Sequence, residues 1–343
     1  MLASARFGSA AKSAVSHCYA AGINAGRTRL TVDEMKRAVN IYLKSASSEK
    51  TRVDKISISG GEPLTQWELL REFIPWISGK DVKVELFTNG LLLNAEKADF
   101  LVKHGIRLKI SLDGYKTTHD RARITAAGSP TFDRIVSRIL SMPENLRSSL
   151  EAVPTISSRR LSGLYEDMRF LLWLGFGRIN PSFVLHETWF ERDFKELGKQ
   201  LKMLRDFTSK DKKAGLRLGK IFLKDLSKGL KEFMKTNEIS IGTDGFFYPN
   251  SILSSSAPVK DSRFKDKYRV GNLETGIDGK KFGELRAEAW QEIKKTGAGF
   301  YLGCLLCMYY SSKLHGTNLE KLLLSGEKIA KITMDCRMGE FSG

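Results

Sequence analysis

Cysteine is scarce in this chain. Its 343 residues include four cysteines, Cys18, Cys304, Cys307 and Cys336. Four are too few for a disulfide framework in a chain of this length. Two of them form a C-x2-C pair, which in an intracellular protein favours metal or redox chemistry over cross-linking. The cysteine content therefore excludes a disulfide-stapled fold and makes Cys304 and Cys307 candidates for a metal or redox site.

Long apolar runs are also lacking. No stretch of about eighteen consecutive apolar residues occurs, and the amino terminus has no apolar segment resembling a secretion signal. Nothing in the sequence favours a membrane span or export, so we expect a cytoplasmic protein. Hydrophobic residues make up 41% of the chain, enough to bury a sizeable core in one large domain or two smaller ones.

Acidic residues are outnumbered by basic ones. The chain has 56 Lys and Arg against 39 Asp and Glu, a formal net charge of +17. Such a charge attracts phosphate backbones, anionic membranes or acidic peptides, but a solvated basic surface is an equally valid interpretation. The stacked aromatic and basic pattern of nucleic-acid readers is not visible. Nucleic acid is therefore a weak candidate partner.

Short β-branched runs alternate with amphipathic stretches between residues 50 and 185, a pattern typical of βα units around a parallel sheet. Strands are predicted at 55–59, 83–87, 107–112, 151–156 and 178–184, with 2–7 as a candidate first strand. Helices are predicted near 31–48, 65–77, 93–104, 131–141 and 160–174, the first capped by Thr31 and Glu34. Six such units suit a partial barrel, in which the loops after the strands carry function.

The chain changes character after residue 187. Residues 187–238 are Lys-rich and helical in period, with apolar side chains at Leu197, Leu201, Leu204, Ile221, Leu226, Leu230 and Phe233. This segment is either a helical connector with a solvated basic face or a binding helix. From residue 239 the sequence predicts a hairpin with its turn at Asp244-Gly245. The predicted division is a barrel at 1–190, a connector at 191–238 and a second small domain at 239–343.

Three motifs follow successive predicted strands: "SISGGEPLTQ" (57–66), "LFTNGLLL" (86–93) and "KISLDG" (109–114). Glycines allow a ligand to approach the backbone, and a carboxylate can bind a ligand ammonium. Hydroxyl, amide and carboxylate groups at the strand ends would meet in one crevice and could bind a ribose or a substrate. The candidate residues are Gly60, Gly61, Glu62, Thr88, Asn89, Ser111 and Asp113.

With "HCYAAG" (17–22) ahead of them, these motifs resemble the radical S-adenosylmethionine (radical SAM) superfamily. More closely, the chain is similar to the peptide- and protein-modifying members that carry a C-terminal SPASM or twitch domain, and the resemblance covers nearly the whole chain. It implies an α/β fold, namely a partial (β/α)6 TIM-like barrel followed by a SPASM/twitch-like α+β domain.

In that family a C-x3-C-x2-C loop followed by an aromatic residue holds three irons of a [4Fe–4S] cluster. The fourth iron binds S-adenosylmethionine, whose reductive cleavage yields a 5′-deoxyadenosyl radical. Here Cys18 matches the last cysteine and Tyr19 the aromatic residue, but Ala11 and Val15 occupy the other two positions. Because neither side chain ligates iron, the usual radical initiation is expected to fail unless ligands come from elsewhere. Cys18 is then either a ligand or a small buried hydrophobic residue.

The resemblance also assigns roles in the crevice. It implies that Gly60, Gly61 and Glu62 contact the methionyl ammonium of S-adenosylmethionine and that Ser111 contacts its ribose. His119 and Arg123, in "THDRARI", occupy positions where relatives show a His-Asp and an Arg, so they either contact substrate or cofactor or form a surface salt bridge. The alternative for the whole crevice is a relic pocket that binds nothing.

The C-terminal region departs from the family in a similar way. Where the family's hairpin carries a cluster cysteine, this chain has Asn250, and where the second auxiliary cluster has its third cysteine it has Lys313. Cys304, Cys307 and Cys336 survive, and His315 is close enough in sequence to join them. A Cys3His set suits zinc as well as an iron–sulfur cluster; the alternative is that these residues are unligated remnants.

Three functions are compatible with these observations. The first is a degenerate radical SAM/SPASM-like protein acting as a non-radical binding or maturation partner for a peptide or protein, alone or paired with an intact paralogue. The second is an active enzyme whose cluster ligands come from elsewhere or that uses S-adenosylmethionine for non-radical chemistry. The third is a basic binding module for an acidic peptide or RNA.

Overall fold

The structure is a computed structural model. It describes residues 2–6, 13–15, 29–48, 55–125, 127–184, 187–218, 238–254, 262–296 and 305–338.

A mixed α/β architecture is built on one large sheet. The strands are β1 (Leu2–Arg6), β2 (Ser13–Val15), β3 (Lys55–Ser59), β4 (Lys83–Thr88), β5 (Arg107–Ile110), β6 (Arg123–Thr125), β7 (Glu151–Ala152), β8 (Thr155–Ile156), β9 (Arg178–Ile179), β10 (Ser182–Phe183), β11 (Ile239–Ile241), β12 (Phe247–Tyr248), β13 (Gly271–Asn272) and β14 (Gly276–Ile277). The large sheet has the order β12-β11-β1-β3-β4-β5-β7-β9. Its neighbouring strands are parallel, except for the antiparallel pair β11 and β12. The predicted parallel partial barrel is confirmed.

The helices follow the strands as the βα pattern predicts. They are α1 (Val32–Ser48), α2 (Trp67–Ser78), α3 (Ala95–Lys103), α4 (Lys116–His119), α5 (Phe132–Leu140), α6 (Glu144–Arg147), α7 (Leu164–Trp173), α8 (Glu191–Lys210), α9 (Lys212–Arg217), α10 (Ser251–Ser254), α11 (Ser262–Tyr268), α12 (Gly279–Lys295), α13 (Leu305–His315) and α14 (Leu319–Met338), with 3-10 turns at Pro63–Gln66 and Ser158–Gly163. The capping box of α1 forms as predicted, since Thr31 N donates to Glu34 Oε2 at 2.8 Å and Glu34 N to Thr31 Oγ1 at 3.3 Å.

Two predicted strands are shorter than their sequence patterns. The stretch 151–156 contains β7 and β8, and 178–184 contains β9 and β10. Pro154 and Pro181 lie in the two interruptions, and proline has no backbone N–H to donate to a neighbouring strand. Each pattern therefore spans two short strands that join different sheets.

The two faces of the large sheet differ in chemistry because successive side chains of a strand alternate between them. One face carries Ile56, Ile58, Leu86, Leu108 and Ile110, each at most 1% exposed, in a core shared with the buried side of α2. The opposite face, which lines the interior of the partial barrel, carries buried charged side chains at Glu85, Lys109 and Glu151. The hydrophobic layer holds the helices on the outside, and the interior is polar.

The connector is helical over its described part. Leu197, Leu201 and Leu204 on α8 are fully buried, and α8 packs against α14 and the 3-10 turn at Ser158–Gly163. The predicted apolar positions Ile221, Leu226, Leu230 and Phe233 lie outside the described residues. The apolar stripe of α8 is therefore a packing surface.

The hairpin predicted at Asp244-Gly245 is confirmed. β11 and β12 pair antiparallel, and Gly245 has a φ of +80°, a left-handed conformation that glycine adopts without strain. β11 also pairs in parallel with β1, so the hairpin extends the barrel sheet. The division of the chain at residues 190 and 238 stays a prediction.

The tight turn after β5 provides a test of packing around the site. Gly114 has a φ of +142°, and a Cβ atom there would lie 2.2 Å from Asp167 Oδ1, whereas Gly105, with a φ of +72°, has open space around it. We expect Gly105→Ala to lower the free energy of unfolding by about 1 kcal/mol, the cost of the backbone conformation alone. Gly114→Ala should cost at least twice as much because a buried carboxylate must also move. Urea unfolding midpoints measure both, and equal losses would contradict the contact.

Candidate functional site

Glu62 joins the loops that follow β3 and β4. Its side chain is buried, with 3% of the residue exposed. Oε1 accepts hydrogen bonds from Leu64 N at 3.1 Å and Thr88 Oγ1 at 2.7 Å, and Oε2 accepts one from Asn89 N at 2.7 Å. Burial raises the pKa of the Glu62 carboxyl, and these hydrogen bonds offset only part of the rise. In the structure this carboxylate is thus a clamp between two strand ends.

The predicted crevice residues fall into two groups. Glu62, Thr88 and Asp113 are buried, at 2 to 3% exposure, and their polar atoms bond to neighbouring loops. Gly60, Gly61, Asn89 and Ser111 are partly exposed. The second group has accessible surface at the strand ends, and Ser111 N donates to Thr88 O at 2.9 Å, which places the end of β5 beside the end of β4.

Asp113 lies in a buried ion pair at the end of β5. Arg123 Nε donates to Asp113 Oδ2 at 2.8 Å and Arg123 Nη2 to Oδ1 at 2.9 Å, a bidentate arrangement. Thr155 N donates to Oδ1 at 2.8 Å, and Arg160 Nη1 lies 3.6 Å from Oδ2. Burial acts to raise the pKa of Asp113, but the Arg123 guanidinium lowers it to about 2. The pair is buried, so it differs from the predicted surface salt bridge.

His119 completes the same network as a neutral imidazole. It is fully buried. Its Nδ1 accepts from Asp113 N at 3.3 Å, and its Nε2 lies 3.0 Å from Thr131 Oγ1. Because that hydroxyl donates to Arg123 O at 2.7 Å, Nε2 carries the proton and donates to it. Burial lowers the pKa of His119 to about 4, so the imidazole is neutral near pH 7. Its Nδ1 can therefore accept the hydrogen bond that positions the backbone of Asp113.

Two residues of this network were not predicted. Arg160, from the 3-10 turn at Ser158–Gly163, donates from Nη1 to Thr118 O at 2.8 Å. Asp167, on α7, accepts from Tyr115 N at 2.7 Å. They lie 42 and 52 residues from these partners in sequence, and no local pattern marks them. Burial raises the pKa of the Asp167 carboxyl to about 6.

The predicted metal ligands are described only in part. Cys18, Tyr19 and Cys304 lie outside the described residues, and Cys307 and His315 lie on α13 with side chains that are not described. Cys336 is fully buried on α14, its Sγ donates to Gly198 O at 3.6 Å, and burial raises the pKa of its thiol to about 11. Within the described parts of the chain, no group of three potential metal ligands converges. The metal assignments stay predictions.

The chain is an α/β protein of the partial-barrel class, with polar side chains at the carboxyl ends of its parallel strands. Barrels of this kind bind ligands at those strand ends. Residues 16–152 match the family described as the Radical SAM superfamily. Over these residues the chain is similar to radical SAM domains. None of its described helices is long and apolar enough to cross a membrane.

Relatives agree with this assignment. The chain is 26% identical over 285 residues to the cysteine-type anaerobic sulfatase-maturating enzyme of Clostridium novyi (strain NT), covering 78% of this chain and 74% of the relative. It is 36% identical over 116 residues to a probable GTP 3',8-cyclase of Methanococcus maripaludis, covering 33% of this chain and 36% of the relative.

Solved structures share the fold. One is native anSMEcpe with bound AdoMet, with a TM-score of 0.61 and 17% identity over 97% of this chain and 99% of that one. Another is Streptococcus suis SuiB bound to precursor peptide SuiA, with a TM-score of 0.58 and 13% identity over 83% of this chain and 66% of that one. At these identities the likeness establishes the fold.

The raised pKa of Asp167 gives a pH-dependent stability. Between its usual value of 3.8 and about 6, the folded chain holds this proton more tightly than the unfolded chain, so this contribution to stability is present at low pH and is lost as pH rises through that window. The Asp167→Asn variant has no titrating carboxyl at this position, so it lacks this contribution to stability. We expect the stability difference between wild type and variant to change by about 2 to 3 kcal/mol between pH 4 and pH 6.5, measured by urea unfolding. Parallel pH profiles would contradict it; contributions of other groups cancel because both proteins contain them.

Proposed function

We propose that this chain is a degenerate radical SAM protein that binds a peptide or protein segment and does not generate a radical by itself. The observation that carries the proposal is the donor set of the cluster loop. Cys18 is the only cysteine before residue 304, and Ala11 and Val15 occupy the positions where the resemblance places two further thiolates. One thiolate does not supply the ligands that a [4Fe–4S] cluster requires.

The C-terminal region supports the proposal at Asn250. This residue occupies a position where the resemblance places a cluster cysteine, and it is fully buried. Its Nδ2 donates to Glu238 Oε2 at 3.0 Å, and its Oδ1 accepts from Ile252 N at 2.9 Å. A buried amide with both ends hydrogen-bonded is part of the fold. The position has a structural role that needs no cluster.

Lys313, where the resemblance places the third cysteine of the second auxiliary cluster, also has a structural role. Its Nζ lies 2.8 Å from Glu292 Oε2 and 5.3 Å from the centre of the Tyr309 ring. An ammonium group that pairs with a carboxylate and an aromatic face stabilises the contact between α12 and α13. We propose that any metal in this region is bound by Cys304, Cys307, Cys336 and His315, a Cys3His set that suits zinc as well as an iron–sulfur cluster.

Peptides are the ligand class that the relatives favour. SuiB was solved with its precursor peptide, and anSMEcpe with a peptide named Cp18Cys. In this chain the accessible crevice lining consists of Gly60, Gly61, Asn89 and Ser111. Backbone, amide and hydroxyl groups can pair with a peptide backbone, and this supports the same class here.

S-adenosylmethionine is the cofactor candidate for the same crevice, since anSMEcpe was solved with AdoMet bound. Glu62 Oε2 accepts one described hydrogen bond and has a second lone pair for a ligand ammonium. Gly60 and Gly61 leave room for close approach, and Ser111 offers a hydroxyl to a ribose. We propose binding of this cofactor without its reductive cleavage.

Iron and sulfide analysis after anaerobic reconstitution tests the proposal. We expect far fewer than four irons per chain and no 5′-deoxyadenosine when S-adenosylmethionine and a reductant are added, because the cluster loop has one thiolate. About four irons and four sulfides per chain, together with 5′-deoxyadenosine, would instead establish an active enzyme.

A variant that restores the cysteines is the matched control. The double substitution Ala11→Cys and Val15→Cys recreates the C-x3-C-x2-C spacing ahead of Tyr19. We expect this variant to take up iron and sulfide under conditions in which the wild type does not. Its uptake shows that reconstitution works, so a low iron content in the wild type then reports the missing ligands.

A further inference from the structure

One transverse row of side chains crosses the interior face of the sheet. Phe87 on β4 pairs in register with Lys109 on β5, and Lys109 pairs with Glu151 on β7. Ser111 lies two residues beyond Lys109 and points to the same face, because side chains alternate along a strand. The row therefore lies one layer beneath the accessible crevice lining.

The two carboxylates of this interior have unequal cation partners. Glu85 lies within 3.1 Å of three cationic groups, namely Lys55 at 3.1 Å, Arg107 at 3.0 Å and Lys109 at 3.0 Å. Glu151 has one cation among the described residues, the same Lys109, at 3.3 Å. The Lys109 ammonium is thus shared, and the charge of Glu151 is compensated less than that of Glu85.

The Glu151 carboxylate is also short of hydrogen bonds. The residue is 1% exposed, and neither carboxylate oxygen has a hydrogen-bond partner among the described residues. An ionised carboxylate without hydrogen bonds is costly to bury. Buried polar groups that lack a partner are rare in folded proteins and call for an explanation. A ligand that donates to both oxygens would provide one.

The row that contains Glu151 is partly exposed at its other strands. Ser59 on β3 and Phe87 on β4 belong to this row, Ser111 lies one layer above it, and all three residues are partly exposed. The Phe87 ring already has a cation near its face, since Lys109 Nζ lies 4.9 Å from the ring centre. Aromatic faces attract cations, so the path to Glu151 has a wall that suits a positively charged group.

We propose that Glu151 is a recognition site for a guanidinium group, such as the end of an arginine side chain of a bound peptide. Two carboxylate oxygens without hydrogen-bond partners among the described residues accept the parallel N–H donors of a guanidinium in a bidentate pair, a geometry that a single ammonium does not match. A flexible side chain that enters beside Ser59, Phe87 and Ser111 would reach Glu151 along the row. This inference rests on the proposed function in one respect, that the ligand is a peptide.

Titration calorimetry with two small probes tests the site. N-acetylarginine methylamide carries the guanidinium, and N-acetylcitrulline methylamide has nearly the same shape without the charge. We expect the wild type to bind the arginine probe at least about tenfold more tightly, because a charge-assisted bidentate pair is lost with citrulline. Glu151→Gln should bind both probes equally. Equal binding of both probes by the wild type, or discrimination retained in Glu151→Gln, would overturn the assignment.

Glu68→Gln is the matched control. It removes the same charge from an exposed carboxylate on α2, whose side chain is 81% exposed, and it should leave the preference for arginine unchanged. If Glu151→Gln does not fold, the wild-type thermal shift decides the question, since only the arginine probe should raise the melting temperature. Iron content plays no part in these readouts. A failed arginine preference in iron-free protein overturns this assignment alone, and a functional cluster overturns the proposed function alone.

Discussion

The ion pair between Asp113 and Arg123 organises the crevice. The Asp113 carboxylate accepts from Arg123 through two parallel bonds and from the backbone of Thr155, so it joins the end of β5, the segment containing β6 and the start of β8. His119 fixes the Asp113 backbone. Because an isolated buried carboxylate is strongly unfavourable, removing Arg123 would leave Asp113 with the more distant cation of Arg160, at 3.6 Å. The geometry of the strand ends therefore depends on both partners being present.

The chain shares its fold with anSMEcpe, and the proposed function differs from radical chemistry. The strand-end clamp at Glu62 and the network at Asp113 link the loops of the crevice through contacts within the chain. Positions that the resemblance assigns to cluster cysteines carry side chains that the fold now uses: Asn250 is hydrogen-bonded on both sides of its amide, and Lys313 pairs with Glu292. In the proposed function this crevice serves as a binding site.

Buried charges in the barrel interior would determine which ligand charge the proposed binding site accepts. An apolar interior would be filled by packing alone, whereas Glu85, Lys109 and Glu151 place buried charges beneath the crevice. The distribution of cations among the two carboxylates is uneven. Specificity would then come from charge complementarity, because a buried carboxylate discriminates strongly between a charged ligand and a neutral one of the same shape.

The sequence by itself determined the parallel βα order, the capped start of α1, the hairpin at Asp244-Gly245 and the strand-end motifs, because each depends on residues close together in the chain. It did not show which motif residues are accessible. Only the tertiary structure showed that Glu62 and Asp113 form hydrogen bonds within the chain, and it added Arg160 and Asp167, whose partners are 42 and 52 residues away. Burial and pairing of charged groups depend on which distant segments meet, and local patterns of residues carry no signal for that.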